Sequence, residues 1–510
     1  MAETFYITTA IDYVNGQPHL GTAYEKIAAD VLARYNRLIG RDVRFLMGND
    51  EHSLKVEQAA RERGLEPLEW CDRMEATFRA AWACLDVEFD DFIRTTQERH
   101  RVAVQGIVAA IKENGDIYTD TYEGWYCNGC EAFKTETELD DGKCPAHIGT
   151  DPVWLEEKNY FFRLSRYNDF LLELYESNPD FIQPEVRRNE LLELLRSGLR
   201  DISISRESAG WGVKIPFDES AVVYVWFDAL VNYIAGIGWP NDLEQFEKYW
   251  PADVHMIGKD ITRFHAVIWP AMLKSAGLPL PKVIFGHGFV NSGSDRLSKS
   301  SGNRIAPEKL VERYSADAIR YFLMAETTFG RDVEYTEERL VTRTNSDLAN
   351  GLGNLASRTL SMIVKYRDGI LPDPSSADAL LESTAADSLK AYQSAMENLR
   401  LRGGIDAAMS LVARANLLVD EQAPWALAKD PERAQQLDRV LYDLAEAVRV
   451  AAVLLSPFMP RTMNALLSRL GHDADTLPQI ADATWGCLEV GMTLEKAPPL
   501  FPRFDQPEAE

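Results

Sequence analysis

The sequence predicts an α/β protein in which an insertion splits a parallel sheet and a helical bundle closes the chain. Three observations predict it. The opening reads strand, helix, strand, which is the unit of a parallel sheet. Strands of the same kind resume only about two hundred residues later, a gap longer than a crossover needs. From about Asp347 onward strand signals fade and apolar residues recur at helical spacing.

In chain order, "TFYITTAIDY" (Thr4 to Tyr13) reads as a buried strand. The helix that follows places Ile27, Val31, Leu32, Tyr35, Leu38 and Ile39 at helical spacing, and Gly40 supplies its C-terminal cap. "DVRFLMGND" is the second strand. "DVHMIGKD" (Asp253 to Asp260) and "KVIFGHGFV" (Lys282 to Val290) read as further strands beyond the insertion. Inside the insertion lie a cysteine cluster and an amphipathic helix, "NELLELLRSGLRD". The bundle is predicted from "LANGLGNLASRTLSMIVKY" and "LDRVLYDLAEAVRVAAVLLSPFM", with "GILPDPSSADA" a loop between its helices and "DQPEAE" a frayed tail.

At 510 residues the chain exceeds what one core supports and divides into about three or four domains. No apolar run is long enough to span a bilayer, and the start lacks the layout of a signal peptide, so a soluble cytoplasmic protein without a membrane partner is expected. The net charge of -25 argues against non-specific nucleic-acid binding, DNA included, but leaves room for a local basic strip. Of six cysteines, Cys71, Cys84 and Cys487 are scattered and expected to be inert. The other three fall in "YCNGCEAFKTETELDDGKCPAH", which spaces Cys127, Cys130, Cys144 and His147 as C-x2-C-x13-C-x2-H. Two close pairs separated by a loop suit one tetrahedral zinc, and four protein ligands leave no open position for catalysis. A redox C-x-x-C is the alternative, although it has no need of the second pair.

Two polar stretches offer donors to an anion. "NGQPHLGTAYEKI" joins the first strand to the first helix, where a parallel sheet binds ligands and a helix start presents backbone N–H groups. His19 adds a donor and Gly21 permits close approach, yet such turns also carry Gly and a polar residue for local reasons. "SGSDRLSKSSGN" (Ser292 to Asn303) holds Arg296 and Lys299 among serines and glycines. It suits polyphosphate, or it is a solvated surface loop.

Together these stretches resemble the two signatures of class I aminoacyl-tRNA synthetases, HIGH and KMSKS, standing here as His19-Leu20-Gly21-Thr22 and Arg296-Leu297-Ser298-Lys299-Ser300. "AIDYVNGQPHLG", "FLMGNDEH", "VYVWFDALVNYI", "IGKDITRFH", "NLASR" and "DEQAPW" look, in order and over nearly the whole chain, like the methionyl-tRNA synthetase family, in its single zinc-knuckle form. The resemblance implies a split Rossmann-like sheet. Residues 1–115 and 225–290 are then its halves, 116–224 a connective insertion with the zinc knuckle, 291–350 the KMSKS-loop and stem-contact region, and 351–510 the anticodon-binding bundle.

It implies activation of L-methionine with ATP, accompanied by Mg2+, and transfer to the 2′-hydroxyl of the terminal adenosine of tRNA(Met). An ionised carboxylate needs no protein nucleophile, so alignment and charge at the phosphates carry the catalysis. His19, Thr22, Arg296 and Lys299 take the catalytic roles, and with Gly21, Ser298 and Ser300 they bind ATP. Ile11, Tyr13, Asp50, Trp226, Ala229, Tyr233, Ile261 and His265 enclose methionine. Asp50 holds the ammonium, the aromatics meet the thioether, and Tyr13 and His265 donate to the sulfur. Asn354, Arg358 and Trp425 read the CAU anticodon. The zinc is structural.

Three positions depart from the family's usual residues. Thr22 replaces the second histidine of HIGH, Arg296 replaces the first lysine of KMSKS, and Leu230 replaces a frequent proline. The chain stops soon after the bundle, so a monomer is expected. A synthetase for another amino acid and a catalytically silent tRNA-binding protein remain as alternatives. The large editing insertion of the leucine, isoleucine and valine enzymes is absent, and Thr22 is the one feature that favours the silent protein.

Overall fold

The computed structural model describes residues 2–127, 132–134, 136, 139–145, 151–207, 211–292, 295–296, 305–374, 379, 381–473, 476–496 and 498–506. Strand β1 (Thr4–Thr9) is continued by β2 (Asp12–Tyr13), and both run parallel to β3 (Asp42–Asp50). Thr4 faces Asp42 whereas Tyr13 faces Asp50, so the register slips by one residue between them. The single strand expected over Thr4 to Tyr13 is therefore broken at Ala10 and Ile11. Distant groups satisfy the backbone that leaves the ladder: Ala10 N–H donates to Met256 O at 3.2 Å, and Lys26 Nζ donates to Ala10 O at 2.7 Å. A one-residue slip exchanges the faces of every later side chain, and this redirects Ile11 and Tyr13.

Helix α1 (Leu20–Leu38) follows, and Gly40 beyond its end takes φ +83°, as the cap requires. Alternation along the strands explains the layers. Phe5 and Ile7 of β1 and Val43, Phe45 and Met47 of β3 join one apolar cluster, while Tyr6 and Leu46 join another on the opposite face. The chain then runs through α2 (Leu54–Arg61), α3 (Pro67–Cys84), β4 (Asp91–Arg94) and α4 (Glu98–Glu113).

Strands β5 (Ile117–Cys127), β6 (Ala132–Lys134) and β7 (Val153–Phe162) form the antiparallel body of the inserted segment. Beyond them come α5 (Asn168–Ser177), β8 (Ile182–Gln183), α6 (Glu185–Arg196), β9 (Ile202–Ser203), β10 (Ser205–Glu207), β11 (Lys214–Ile215) and β12 (Asp218–Val223). The helix expected in "NELLELLRSGLRD" starts four residues earlier and stops at Arg196, before Gly198 at φ +86°.

After α7 (Val225–Ala229), α8 (Asn232–Ala235) and α9 (Leu243–Tyr249), the main sheet resumes with β13 (Val254–Gly258). Helix α10 (Trp269–Ser275) leads to β14 (Val283–His287). The strand order is β2-β3-β1-β13-β14-β8, with β4 also on β3. The inserted segment is thus not wholly separate, because its β8 returns to become the edge beside β14. The stretch read as one strand over Lys282 to Val290 is two. At Gly288 a Cβ would lie 2.3 Å from the backbone of Arg331, so the chain passes a close neighbour there. Strand β15 (Val290–Ser292) then joins β16 (Asp295–Arg296) and β17 (Val333–Glu334) in a separate small sheet.

Helices α11 (Pro307–Tyr314), α12 (Ala316–Ala325) and α13 (Glu337–Arg343) lead through a π-helical stretch, Thr344–Gly353, into α14 (Asn354–Arg367). The bundle adds α15 (Glu382–Glu397), α16 (Leu401–Gln422), α17 (Pro424–Leu427), α18 (Ala434–Leu455) and α19 (Pro460–Arg469). It shares one apolar cluster with α1 and the sheet. Buried Arg320 fastens the two, pairing with Asp30 of α1 at 2.6 Å and donating to Pro457 O and Phe458 O at 2.9 and 3.0 Å. Of the tail expected to fray, Asp505 to Glu510, residues 507–510 lie outside the described residues, and the chain leading into them is tied down. Phe504 exchanges hydrogen bonds with Asn345, and Gln506 Nε2 donates to Thr342 Oγ1 at 3.1 Å.

Candidate active site

A cavity of about 30 Å³, partly open to solvent, lies at the carboxyl end of the parallel strands. All eight residues expected around methionine line it: Ile11, Tyr13, Asp50, Trp226, Ala229, Tyr233, Ile261 and His265. Sheet register explains part of this convergence, because Tyr13 and Asp50 are paired partners at the ends of β2 and β3. The aromatic wall is ordered edge to face: Trp226 lies perpendicular to Tyr13, with centroids 6.4 Å apart, and stacks flat on Phe264 at 3.8 Å. Ala10, Leu230 and Asn232 line the cavity as well. Leu230, noted for its departure from proline, thus belongs to the wall itself.

His265 differs from expectation in its chemistry. Its Nδ1 faces Ile261 O at 3.1 Å, and its Nε2 faces the Tyr233 hydroxyl at 2.6 Å. A carbonyl only accepts, so Nδ1 carries the proton and Nε2 accepts from Tyr233. Burial lowers the imidazole pKa to about 4, which keeps the ring neutral. Both nitrogens are engaged, so His265 offers packing surface and no N–H to a thioether. It sits in a short π-helical segment, Phe264–Ile268, a local widening often found at functional sites.

The turn before α1 is built as a capping box. His19 Nδ1 accepts from Gly21 N–H at 3.1 Å, which places the ring proton on Nε2. The Thr22 hydroxyl accepts from His19 N–H at 3.1 Å and donates to His19 O at 2.7 Å. Thr22 therefore spends its hydrogen inside the turn, a correction to its expected role as a donor to ATP. Ser298, Lys299 and Ser300 lie outside the described residues, while the backbone of Arg296 pairs with Asn291 in β16. The far flank of that stretch meets α1, since Leu20 N–H donates to Ile305 O at 3.0 Å.

Sequence reasoning missed a buried cluster behind the cavity. Asp228, the fourth of the five residues of α7, binds His52 Nδ1 through Oδ2 at 2.7 Å and His100 Nε2 through Oδ1 at 2.6 Å. Burial alone would raise its pKa, but the charges of and hydrogen bonds from the two histidines prevail and lower it to about 2. The "DEH" and "FDAL" segments held the signal, but only the fold reveals that they meet.

In the insertion, Cys127 and Cys144 are both buried, Cys127 at the end of β5 and Cys144 just after the Asp140–Lys143 bridge. Cys130 and His147 lie outside the described residues. In the bundle, Asn354 and Arg358 stand one turn apart on α14, and Arg358 Nη2 reaches Asp420 Oδ1 of α16 at 3.4 Å. Five positions beyond Asp420, past a left-handed cap at Ala423, Trp425 is 45% exposed.

Comparison with known proteins matches residues 5–148 and 137–360 to the family described as tRNA synthetases class I (M). Residues 372–510 match the anticodon binding domain of methionyl tRNA ligase. The chain is 48% identical over 510 residues to the methionine–tRNA ligase of Caldanaerobacter subterraneus subsp. tengcongensis, covering 99% of this chain and 80% of that one. It is 48% identical to the ligase of Brucella suis biovar 1, covering 98% of each. Among solved structures, Mycobacterium tuberculosis methionyl-tRNA synthetase in complex with methionyl-adenylate superposes with a TM-score of 0.94 at 44% identity, covering 98% of this chain and 100% of that one. The apo form of that enzyme gives 0.88 at 41% identity, covering 99% of each.

Proposed function

The chain belongs to the methionyl-tRNA synthetase family of class I aminoacyl-tRNA synthetases, and on that premise we propose which of its residues carry the reaction. The reaction joins L-methionine to ATP as methionyl-adenylate and passes the methionyl group to tRNA. Asp50 binds the substrate ammonium, and Tyr13, Trp226, Ala229, Tyr233, Ile261, His265 and Ile11 enclose the side chain. The single observation that carries this reading is the convergence of all eight on one cavity.

His19 offers its Nε2 proton to the triphosphate at the start of α1, where backbone N–H groups add to it. Gly21 leaves room for the ligand, and Thr22 holds His19 in place. Lys299, with Arg296, Ser298 and Ser300, meets the pyrophosphate from the segment that rejoins the chain at Ile305, beside that helix start. ATP brings Mg2+, which shields phosphate charge when bound. The methionine carboxylate attacks the α-phosphorus and pyrophosphate leaves, so these donors act where negative charge collects. Transfer then goes to the 2′-hydroxyl of the terminal adenosine of tRNA(Met), whose CAU anticodon meets Asn354, Arg358 and Trp425.

A structural zinc fits the donor chemistry of Cys127, Cys130, Cys144 and His147, of which the first and third are buried as such ligands are. Those four residues would hold it, and with no open position it would serve structure and not the reaction. The domain division at 115, 224, 290 and 350, a monomeric state, a cytoplasmic site and the lack of a DNA partner belong to the same reading. Among the described residues no helix is long and apolar enough to cross a membrane.

Methionine-dependent exchange of labelled pyrophosphate into ATP tests it. Wild type exchanges with methionine and not with other amino acids, and Lys299→Ala slows adenylate formation far more than it weakens methionine binding. Equal adenylation rates for the variant and wild type would remove Lys299 from the mechanism.

A further inference from the structure

We propose that Asp228 is a positioning residue for methionine activation: bridging His52 and His100, it locks the ammonium-binding strand end to the aromatic wall. The inference rests on the assignment of the Asp50 cavity to methionine. Its starting point is a mechanical problem. Asp50 is the last residue of β3, and Trp226 and Ala229 sit on α7, a helix of only five residues with no side-chain cap. Beyond Asp50 the chain leaves the sheet ladder, and α7 is little more than one turn, yet a pocket for one amino acid needs both held to within a fraction of an ångström.

The chain beyond Asp50 is pinned from three sides. Glu51 N–H donates to Thr95 Oγ1 at 3.0 Å, and the Glu51 carboxylate takes Arg94 Nε at 2.7 Å and the Thr96 hydroxyl. Trp211 Nε1 donates to Glu51 O at 2.8 Å, and its ring stands edge to face with His52. His52 then reaches Asp228 at 2.7 Å, placing a bond between the strand end and the last turn of α7. Asp228 lies two residues after Trp226 and directly before Ala229, so that bond fixes both walls at once. From the opposite side His100, on α4, completes the carboxylate at 2.6 Å. With both oxygens held by different elements, the carboxylate cannot swing, and α7 cannot move relative to β3 without breaking a charge-assisted bond.

His100 gives the cleanest test, because it does not line the cavity and can reach methionine only through Asp228. His100→Leu removes the donor, and His100→Gln keeps an N–H on a side chain of similar reach. Steady-state pyrophosphate exchange on the full chain is the readout. Expected for His100→Leu is a rise of about tenfold in KM for methionine, with kcat within about threefold and KM for ATP unchanged; His100→Gln recovers most of the loss. A folded His100→Leu with wild-type KM for methionine overturns the proposal. So does a parallel fall in kcat, both KM values and thermal stability that His100→Gln does not rescue, since that marks a purely structural contact.

If His100→Leu fails to fold, Asp228→Asn, which keeps the shape, is read by the same split. Asp50→Asn run alongside separates the two readings. If it leaves KM for methionine unchanged, the cavity assignment fails and the inference with it. If it raises KM while the Asp228 and His100 variants do not, only the inference fails.

Discussion

The cavity around Asp50 and the proposed anticodon face around Trp425 treat their partners in opposite ways. In the cavity Asp50, Ala229, Tyr233 and His265 are buried, and hydrogen bonds tie Tyr233 to His265 and His265 to Ile261 before any ligand arrives. On the bundle, Trp425 is 45% exposed and Arg358 touches a carboxylate that is itself 68% exposed. The difference follows from the partners. An amino acid offers few atoms, so its site has to be organised beforehand and kept dry. An RNA loop brings broad stacking surfaces and many acceptors, so exposed side chains suffice and become ordered on contact.

If that contrast is right, damage to the cavity is large and local in chemistry. Asp50→Asn leaves the ammonium without a counter-charge in a buried site, and kcat/KM for methionine in pyrophosphate exchange falls by about two to three orders of magnitude. Affinity for tRNA, measured by filter binding, does not change. A fall of less than about fivefold would place the ammonium elsewhere.

The next effect is on stability and comes from the same burial. His265 is held at about 4, against about 6.5 for a free histidine, because burial penalises the cation. Between those values the unfolded chain takes up a proton that the folded chain refuses. Stability therefore falls as pH drops from about 6.5 toward 4 and is flat above. Wild type loses about 2 kcal/mol more than His265→Gln between pH 7 and pH 5, read as the difference in urea unfolding. An equal loss in both proteins would mean that the imidazole titrates normally.

How much of this was legible in the sequence depends on how local its cause is. The helix α1 and the strand β3 were readable because period and cap lie within their own residues. The eight cavity residues were readable by resemblance, since their types and order match a known pattern. The break after Thr9 was not, because Met256 and Lys26 impose it from afar. The proton on His265 was hidden for the same reason, being set by Tyr233 and by Ile261 O. Gln506 looked part of a frayed tail by composition, and only the fold brings Thr342 against it. The cluster of His52, Asp228 and His100 joins three segments up to 176 positions apart, and no local pattern announces such a meeting.

On the bundle, effects are smaller and confined to tRNA. Trp425→Ala removes the proposed stacking face, of the kind that accounts for about 1–3 kcal/mol, so charging at limiting tRNA falls by about 5-fold to 150-fold while pyrophosphate exchange is unaffected. Unchanged tRNA affinity would remove Trp425 from the interface.

The smallest expected effect sharpens the contrast most. Asp420 is the partner of Arg358 at 3.4 Å and is largely exposed, so screening leaves the pair with little to contribute. Asp420→Ala therefore shifts the melting temperature by no more than about 1–2 °C. The released guanidinium gains freedom to meet a base or phosphate, and a negative charge is removed from the face proposed to receive RNA. Affinity for tRNA at low salt rises by a small factor, up to about threefold, and the gain fades as salt increases. The equivalent cut in the cavity, Tyr233→Phe, strands an acceptor on buried His265 and lowers both stability and methionine affinity. Were Asp420→Ala to weaken tRNA binding instead, Arg358 would be held ready by its carboxylate, and the bundle face would be preorganised in the same manner as the cavity.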